Sequence, residues 1–394
     1  MKQIILYISI LTVGAMASCI NAVEFENRVY MAGAIESDTR QLVVDGVPSE
    51  VAFVATLADL TDDPVDVNIA ADDNLIAAYN SKYHKSYKPM PEGSFSLSTA
   101  TLRIDPQNLR SNSAKVVITD DSGFKEGESY LIPVTITGVN GGVKLLDAAK
   151  TIYFVIIKTI VTKACDLRGS LYFQVDFAKL SDASLTALSG ATMETRFYCT
   201  ATMTSNPWIS SIMGLEENWL IRMGDARNIP DNAIQTAGSG SNATAPNPIP
   251  LKEWHHVAAV FENNTVKLYV DGNLEAQTSH PGSSNSGGMM NLTYVYGDPS
   301  FTIGRSANAN ARRWNGYLSE MRVWRKALTR ADIANNMCYV DPASPDLIAY
   351  WRFDGSTTEE NGKTVILDHT GHGYNAIPSA TMQANNWVDN VKCP

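Results

Sequence analysis

Two neighbouring stretches decide the fold: EWHHVAAVF at residues 253–261 and TVKLYVDG at residues 265–272. Both are rich in Val, Tyr, Phe and other residues that favour a pleated, half-buried strand. Residues 262–264 between them read Glu-Asn-Asn, which suits a turn, and Asp271-Gly272 then turns the chain again. The pattern predicts a β-hairpin inside an all-β domain.

Further strand-like stretches follow, FTIGR at residues 301–305 and WNGYLSEMRVW at residues 314–324. Thr329 then has the character of a helix N-cap, with Asp332 in the capping-box position three residues later. As a set, these phrases closely resemble the LamG-like, concanavalin A-like jelly roll over roughly residues 165–335. The resemblance implies a β-sandwich of the lectin type, a fold that hosts several functions.

The segment from Leu347 to Asp354, together with residues 367–373, resembles the strand pair that usually opens such a domain. In this chain it follows the predicted helix. We expect these strands to complete the same sandwich in a permuted order, because about 55 residues seldom bury a core alone. A separate C-terminal piece is the alternative.

The first half of the chain shows short apolar or alternating runs that are separated by turn residues, at residues 50–57, 94–104, 115–119, 130–139 and 151–160. Runs of this length and spacing predict a second β-sandwich. A short helix is expected before Tyr79, capped by Asp72 or Asp73. We therefore expect an N-terminal domain over residues 25–161 and a LamG-like jelly roll over residues 164–394.

The order of motifs in this half, YNSKY at 79–83, PMP at 89–91 and GESYLIPV at 127–134, resembles the N-terminal β-sandwich domain of many Bacteroidetes surface lipoproteins. That domain has no assigned function and precedes glycoside hydrolases or glycan-binding domains. The resemblance implies a spacer or docking role. Tyr79, Tyr83 and Tyr87 are accordingly read as core or strut residues rather than as a sugar platform.

An export signal is predicted at the N-terminus. Lys2 is followed by an apolar run of about ten residues, too few to span a bilayer. Small residues then lead to Cys19, as in the lipobox of bacterial lipoproteins. This pattern predicts a signal peptide over residues 1–18, lipidation of Cys19 and a tether over residues 19–24, with an ordinary signal peptide cut near Ala17 or Ala22 as the alternative.

The expected location is the outer membrane, lipid-anchored and exposed at the surface. The resemblance implies neighbouring partners there, an outer-membrane importer and glycosidases. The formal net charge of -10 and the lack of clustered Lys and Arg argue against a nucleic-acid partner. Export also makes one or two disulfides plausible, and the pairing is left open among Cys165, Cys199, Cys338 and Cys393.

Known catalytic and metal motifs are not found in the sequence. The paired-carboxylate signature of concanavalin-like hydrolases is absent, as are nucleophile-elbow, phosphate-loop and zinc-protease patterns. No cofactor is therefore expected, although LamG-like domains often carry calcium, for which Asp354 and Asp368 are weak candidates. The motif His369-x-x-His372 lacks a third zinc ligand.

A sugar site needs aromatic rings for the C–H faces of the sugar and polar groups for its hydroxyls. Tryptophans 219, 254, 324 and 351 lie in strand motifs and are predicted to be core residues. The remaining aromatic and polar candidates lie in loop-like sequence, and we predict that glycan is bound by Trp208, Tyr296, Asn308, Asn310, Arg312, Trp314 and Trp387.

The sequence thus predicts a non-catalytic glycan-binding lipoprotein of a polysaccharide or glycan utilisation system, with an oligosaccharide as its ligand. Two alternatives remain open. One is a glycoside hydrolase or lyase whose active site has no recognisable motif. The other is an adhesion module that binds a protein through a flat apolar patch.

Overall fold

The computed structural model describes residues 26–83, 85–169, 171–284, 286–294, 301–307 and 310–393. Over these residues the chain forms two β-sandwich units that follow one another in sequence, so the all-β prediction is confirmed. Cys19 and the predicted signal peptide lie outside the described residues.

Over its described residues, the N-terminal unit contains eleven strands and one α-helix. They are β1 (Arg28–Met31), β2 (Thr39–Val44), β3 (Ser49–Phe53), β4 (Ala55–Leu57), β5 (Val65–Ala71), α1 (Leu75–Tyr83), β6 (Phe95–Leu97), β7 (Thr101–Ile104), β8 (Ala114–Ile118), β9 (Ser129–Asn140), β10 (Lys144–Leu145) and β11 (Thr151–Lys158).

The main sheet of this unit has the order β2-β11-β9-β5-β7 and packs against two three-stranded sheets, β10-β1-β4 and β3-β8-β6. Alternation along β11 separates its two faces. Phe154 and Ile156 enter the main core, whereas Val155 and Ile157 face the other way. Helix α1 covers part of that second face through Tyr79, which packs against Tyr153. Helix α1 does not cover the rest of this face of β11, which lies toward the second unit.

The C-terminal unit contains seventeen strands and one α-helix over the described residues. They are β12 (Ile160–Asp166), β13 (Phe173–Val175), β14 (Gly190–Cys199), β15 (Ser210–Leu215), β16 (Trp219–Met223), β17 (Ile234–Gly238), β18 (Ser241–Thr244), β19 (Trp254–Glu262), β20 (Thr265–Val270), β21 (Asn273–Ser279), β22 (Phe301–Ile303), β23 (Gly316–Trp324), α2 (Arg330–Asn335), β24 (Leu347–Trp351), β25 (Thr357–Glu360), β26 (Lys363–Ile366), β27 (Ile377–Pro378) and β28 (Trp387–Cys393).

An eight-stranded sheet, β21-β20-β19-β14-β23-β12-β28 with β24 beside β23, faces a seven-stranded sheet, β18-β17-β16-β15-β22-β13-β27. The predicted hairpin is β19 paired with β20. The final strands join both sheets, β24 and β28 in one and β27 in the other, so they complete the sandwich rather than form a separate piece. Strand β12 already belongs to this unit, which puts its first residue at Ile160, within the N-terminal range expected from the sequence.

The segment between β23 and β24 covers the outward face of the eight-stranded sheet. Helix α2 begins with the predicted capping box of Thr329 and Asp332, and its Ile333 is buried there. A disulfide joins Cys338 in this segment to Cys393 in β28, whereas Cys165 and Cys199 are buried free thiols. Within the part of the chain that the structure describes, no helix has the length and apolar character needed to cross a membrane.

Candidate functional site

A groove of about 690 Å³ lies between the two units. Its apolar lining comes from the uncovered face of β11 and from the disulfide, and its polar lining comes from three loop segments of the two units. The residues that line it are Thr39, Gln41, Lys85, Ser86, Tyr87, Lys88, Gly127, Glu128, Ser129, Val155, Ile157, Lys158, Ile160, Ala334, Asn335, Asn336, Met337, Cys338, Tyr339 and Cys393. An apolar surface with polar groups around it is the usual character of a small-ligand site.

A buried arginine hydrogen-bonds to one wall of the groove, which consists of residues 334–339. Arg322 is fully buried, and its Nη1 donates to the carbonyl oxygen of Asn336 at 2.6 Å. The same guanidinium lies between two buried carboxylates, 3.3 Å from Glu194 and 3.1 Å from Glu320. A buried charge is tolerated only when it is paired and hydrogen-bonded, so this cluster fixes the guanidinium in one position.

The pKa values of Glu194 and Arg322 are both shifted in the direction that favours the charged form. Burial alone would raise the pKa of Glu194, but the charge of Arg322 and the contact with His256 lower it well below its ordinary value. Burial alone would lower the pKa of Arg322, but Tyr350, Glu194 and Glu320 together raise it. The arginine that binds the wall is therefore stabilised in its charged form by its partners.

The opposite wall, residues 127–129, is anchored to the same network. Arg352 donates through Nε to Glu320 at 3.1 Å and through its other two nitrogens to both oxygens of Glu126, at 3.0 and 2.6 Å. This bidentate pair crosses from one unit to the other. Gly127 next to it has a φ of 75°, and a side chain there would meet the ring of Tyr339. Both walls are thus fixed relative to each other before any ligand binds.

A β-bulge makes this arrangement possible. The register of β14 with β23 shifts between Glu194 and Arg196, opposite the stretch that contains Glu320. Glu320 has a left-handed backbone, with a φ of 52°, a conformation that a non-glycine residue adopts only where its surroundings hold it. The extra residue places Glu320 within reach of both Arg322 and Arg352.

None of the sequence-predicted sugar residues that the structure describes lies in the groove lining, and Trp208, Asn310 and Arg312 lie on or beside the seven-stranded sheet. Trp208 is half-buried, and the guanidinium of Arg227 covers its ring at 4.1 Å. Arg312 pairs with Glu216 at 2.6 Å, and Asn310 is exposed in the same 3-10 turn, Asn310–Arg312. Tyr296 and Asn308 fall outside the described residues. The structure therefore brings Asn310 and Arg312 together.

Two of the predicted tryptophans require correction. Trp314 is 1% exposed and packs edge-on against Phe197 in the core. Its backbone N–H donates to Gly304, which ties it to the end of β22 and takes the ring inside despite its polar neighbours in sequence. Trp387 is half-buried, begins β28 and packs against the core. Trp314 is not available to a ligand, and Trp387 offers only part of its surface.

Polar side chains on the outward face of the seven-stranded sheet satisfy one another. Arg222 donates to Gln235 at 2.8 Å and pairs with Asp225 at 2.9 Å. Gln235 donates in turn to Thr244 at 2.8 Å. A sugar hydroxyl could bond to these side chains only by displacing the partners that they already have. We therefore interpret this network as structural.

An aromatic row that the sequence analysis missed crosses the eight-stranded sheet. Trp254, Tyr198 and Tyr317 stand on adjacent strands with ring centroids 5.0 to 6.4 Å apart. All three are half-buried on the outward face, so the prediction that Trp254 is a core residue is wrong, whereas Trp219, Trp324 and Trp351 are buried as predicted. Arg196 and Arg168 cover the outer rings at 4.9 and 5.1 Å. Tyr198 and Tyr317 are stacked, Trp254 is tilted against both, and a guanidinium lies over each outer ring.

The carboxylates proposed for calcium are already engaged by the protein. Asp368 is buried and accepts the backbone N–H groups of Tyr350, Gly373 and Tyr374. Asp354 accepts from Ser356 and lies 3.7 Å from Arg352, and burial would raise its pKa but the contacts with His369, Ser356 and Arg352 lower it. Over the described residues, no group of three His, Cys, Asp or Glu side chains could hold a metal ion. Calcium at Asp354 and Asp368 stays a prediction.

The sequence of the second unit matches a family profile described as the concanavalin A-like lectin/glucanases superfamily (Laminin_G_3), over residues 174–334. A second profile, described as an N-terminal domain, matches residues 25–143. No curated protein matches the chain at a significant level.

Among solved structures, a Bacteroides ovatus protein that has been proposed to bind carbohydrate is similar over both units. It is 27% identical, the match covers 92% of this chain and 98% of that one, and the TM-score is 0.59. A SAP-like pentraxin from Limulus polyphemus is 17% identical over 44% of this chain and 80% of its own, with a TM-score of 0.30. Bacteroides thetaiotamicron EndoBT-3987 is 14% identical over 33% of this chain and 30% of its own, with a TM-score of 0.29.

Proposed function

We propose that this protein, whose second unit is a Laminin_G_3, concanavalin A-like domain behind an N-terminal sandwich, binds carbohydrate in the groove between the two units. The observation that carries the proposal is the preformed groove, about 690 Å³ in volume, with an apolar lining and polar groups around it. A volume of this size lies in the range of small-ligand sites and accommodates a few sugar rings.

The chemistry of the lining suits a sugar. Ile157 and Ile160 offer apolar surface, and the half-buried ring of Tyr87, which the sequence motif suggested to be a strut, extends it. The ring of Tyr339 adds only part of its surface, because the guanidinium of Arg352 lies over it at 5.2 Å. The exposed side chain of Gln41 adds an amide that can donate to and accept from hydroxyls. Binding to such a site costs little reorganisation, because the buried arginine network already holds both walls.

The similar Bacteroides ovatus protein supports the same assignment at the level of the whole chain. Its likeness extends over both units of this chain. That protein has itself been proposed to bind carbohydrate. The lectin-type domain adds the same indication from the family side.

A glycan array tests the proposal, with product analysis on the same samples. The chain is compared with Ser86→Trp, which places a large ring in the groove from an exposed position, and with Ser205→Trp, which adds the same ring beside Trp208. We expect binding to one glycan class that is lost in Ser86→Trp alone, without release of shorter sugars. Binding that persists in Ser86→Trp would contradict the groove, and product release would move the protein into the enzyme class.

We further propose that the protein is a lipoprotein of the outer membrane, anchored through Cys19, that holds glycan at the cell surface for a glycan utilisation system. The support is the lipobox-like sequence before Cys19 and the resemblance of the first unit to domains of surface lipoproteins. Metabolic labelling with a palmitate analogue tests this anchor. We expect label on the wild-type chain and none on Cys19→Ala; equal labelling of both would contradict it.

A further inference from the structure

The groove carries an excess of positive charge. Its lining contains the three cations Lys85, Lys88 and Lys158, and among the described lining residues the one acid is Glu128. The chain as a whole has a formal net charge of -10. The groove is therefore a local exception to the charge of the molecule.

The three lysines differ in how far they are already used. Lys158 pairs with Asp121 at 3.0 Å, and Lys85 donates to the side-chain oxygen of Asn335 at 3.4 Å. Lys88 is exposed, and no ion pair of its ammonium group occurs within the described ranges of the chain. Glu128 lies 4.0 Å from Lys125, outside the lining, and accepts from Tyr130. None of the described residues thus neutralises the positive charge of Lys88.

We propose that the groove binds an anionic glycan, with a carboxylate or sulfate of one sugar unit at Lys88 and Lys85. This inference rests on the proposed carbohydrate-binding function and names its ligand class. An ammonium group is a compact, mobile point charge that suits the single anionic substituent of a sugar. Because Lys88 is exposed, water and salt screen its pair with an anion, so we expect a modest and salt-dependent gain in affinity from this pair.

Isothermal titration with three probes tests the inference: a hexamer of galacturonic acid, the same hexamer after reduction of its carboxyl groups, and a sulfated galactan hexamer. We expect one anionic hexamer to bind at least tenfold more tightly than the reduced hexamer, with an affinity that falls as salt is added. The carboxylated and sulfated arms distinguish the two sources of negative charge.

The variants Lys88→Ala and Lys88→Glu are measured beside Lys363→Glu, an equal charge change at an exposed residue outside the lining. We expect a threefold to tenfold loss for Lys88→Ala, a larger loss for Lys88→Glu, and no loss for the control. Equal affinity for the reduced hexamer, or no effect of Lys88→Glu, would overturn the anionic ligand but leave carbohydrate binding intact. If none of the three probes binds, the anionic ligand is also overturned. The proposed carbohydrate-binding function fails only if no glycan of the array binds.

Discussion

The interdomain groove and the outward face of the seven-stranded sheet contain similar residue types. The two regions differ in whether those side chains are already bonded within the protein. On the sheet, Arg222 is bonded to Gln235 and Asp225, and the ring of Trp208 is covered by Arg227. In the groove, the charged network lies beneath the walls, and exposed groups such as Lys88 face open volume.

This difference teaches that residue type alone does not make a binding site. A ligand gains affinity only from groups that are not already satisfied within the protein. The groove separates the two tasks: buried charges such as Arg322 hold the backbone of the walls, whereas lining side chains such as Lys88 and Gln41 are exposed to a ligand. On the sheet face, the polar side chains already bond to one another, so a ligand gains little affinity from them.

The largest effect is expected from Arg322→Met, which leaves the buried carboxylate of Glu194 without its guanidinium partner and leaves Glu320 with Arg352 alone. Breaking one partner of a buried ion pair costs roughly 3 to 5 kcal/mol of unfolding free energy. Urea unfolding measures this loss. Arg312→Met on the sheet is the matched comparison, and it should cost less, because Arg312 is 24% exposed and water can replace it. Equal losses would contradict the distinction between the two regions.

The next effect concerns the disulfide beside the groove. Replacing Cys338 and Cys393 by Ser opens a cross-link with a sequence separation of 55 residues. Chain-entropy arguments give a loss of about 4 kcal/mol for a loop of this size. The double variant should therefore unfold at lower urea and bind ligand more weakly, and reduction of the wild-type chain should reproduce both changes. An unchanged unfolding midpoint would show that the cross-link does not stabilise the fold.

A smaller effect is expected from Glu126→Gln, which weakens the bidentate pair with Arg352 across the two units. Glu126 is 43% exposed, so the pair contributes at most about 1 kcal/mol to stability. Because it positions one wall, we expect a threefold loss of glycan affinity with little change in unfolding. Lys125→Gln next to it is the control. A loss of stability without any loss of affinity would refute the positioning role.

The smallest effect is expected from Trp208→Ala, which removes a half-buried ring from the sheet face. Glycan affinity should remain within twofold of the wild-type value, because the ring lies outside the groove lining. Titration with the best glycan of the array measures this. A tenfold loss of affinity in the folded variant would instead indicate that glycan binds at the residues predicted from the sequence.

Local sequence signals predicted the fold well. The hairpin of β19 and β20 and the capping box of Thr329 with Asp332 depend on residues within a few positions of each other. The alternation of residues along β19 also predicted two faces for this strand, but it did not indicate which part of the protein packs against each face. Trp254 was therefore misplaced: it stands on the outward face with Tyr198, whereas Val257 and Phe261 enter the core.

The site could not be predicted in the same way. Its lining comes from both units, from segments as distant as Gln41 and Cys393, and no short motif links them. The polar neighbours of Trp314 suggested a surface loop, but its tie to Gly304 carries the ring into the core. Lys85 and Lys88 flank Tyr87 in sequence, but only the structure shows that they line a cavity with residues 334–339.

Titration of the best array glycan against the wild-type chain, Ser86→Trp and Ser205→Trp tests the central claim most directly. The two substitutions add the same side chain, one inside the groove and one on the sheet face. The groove account predicts wild-type affinity for Ser205→Trp and at least a tenfold loss for Ser86→Trp with unchanged unfolding. The reverse pattern, loss in Ser205→Trp and full affinity in Ser86→Trp, would contradict it.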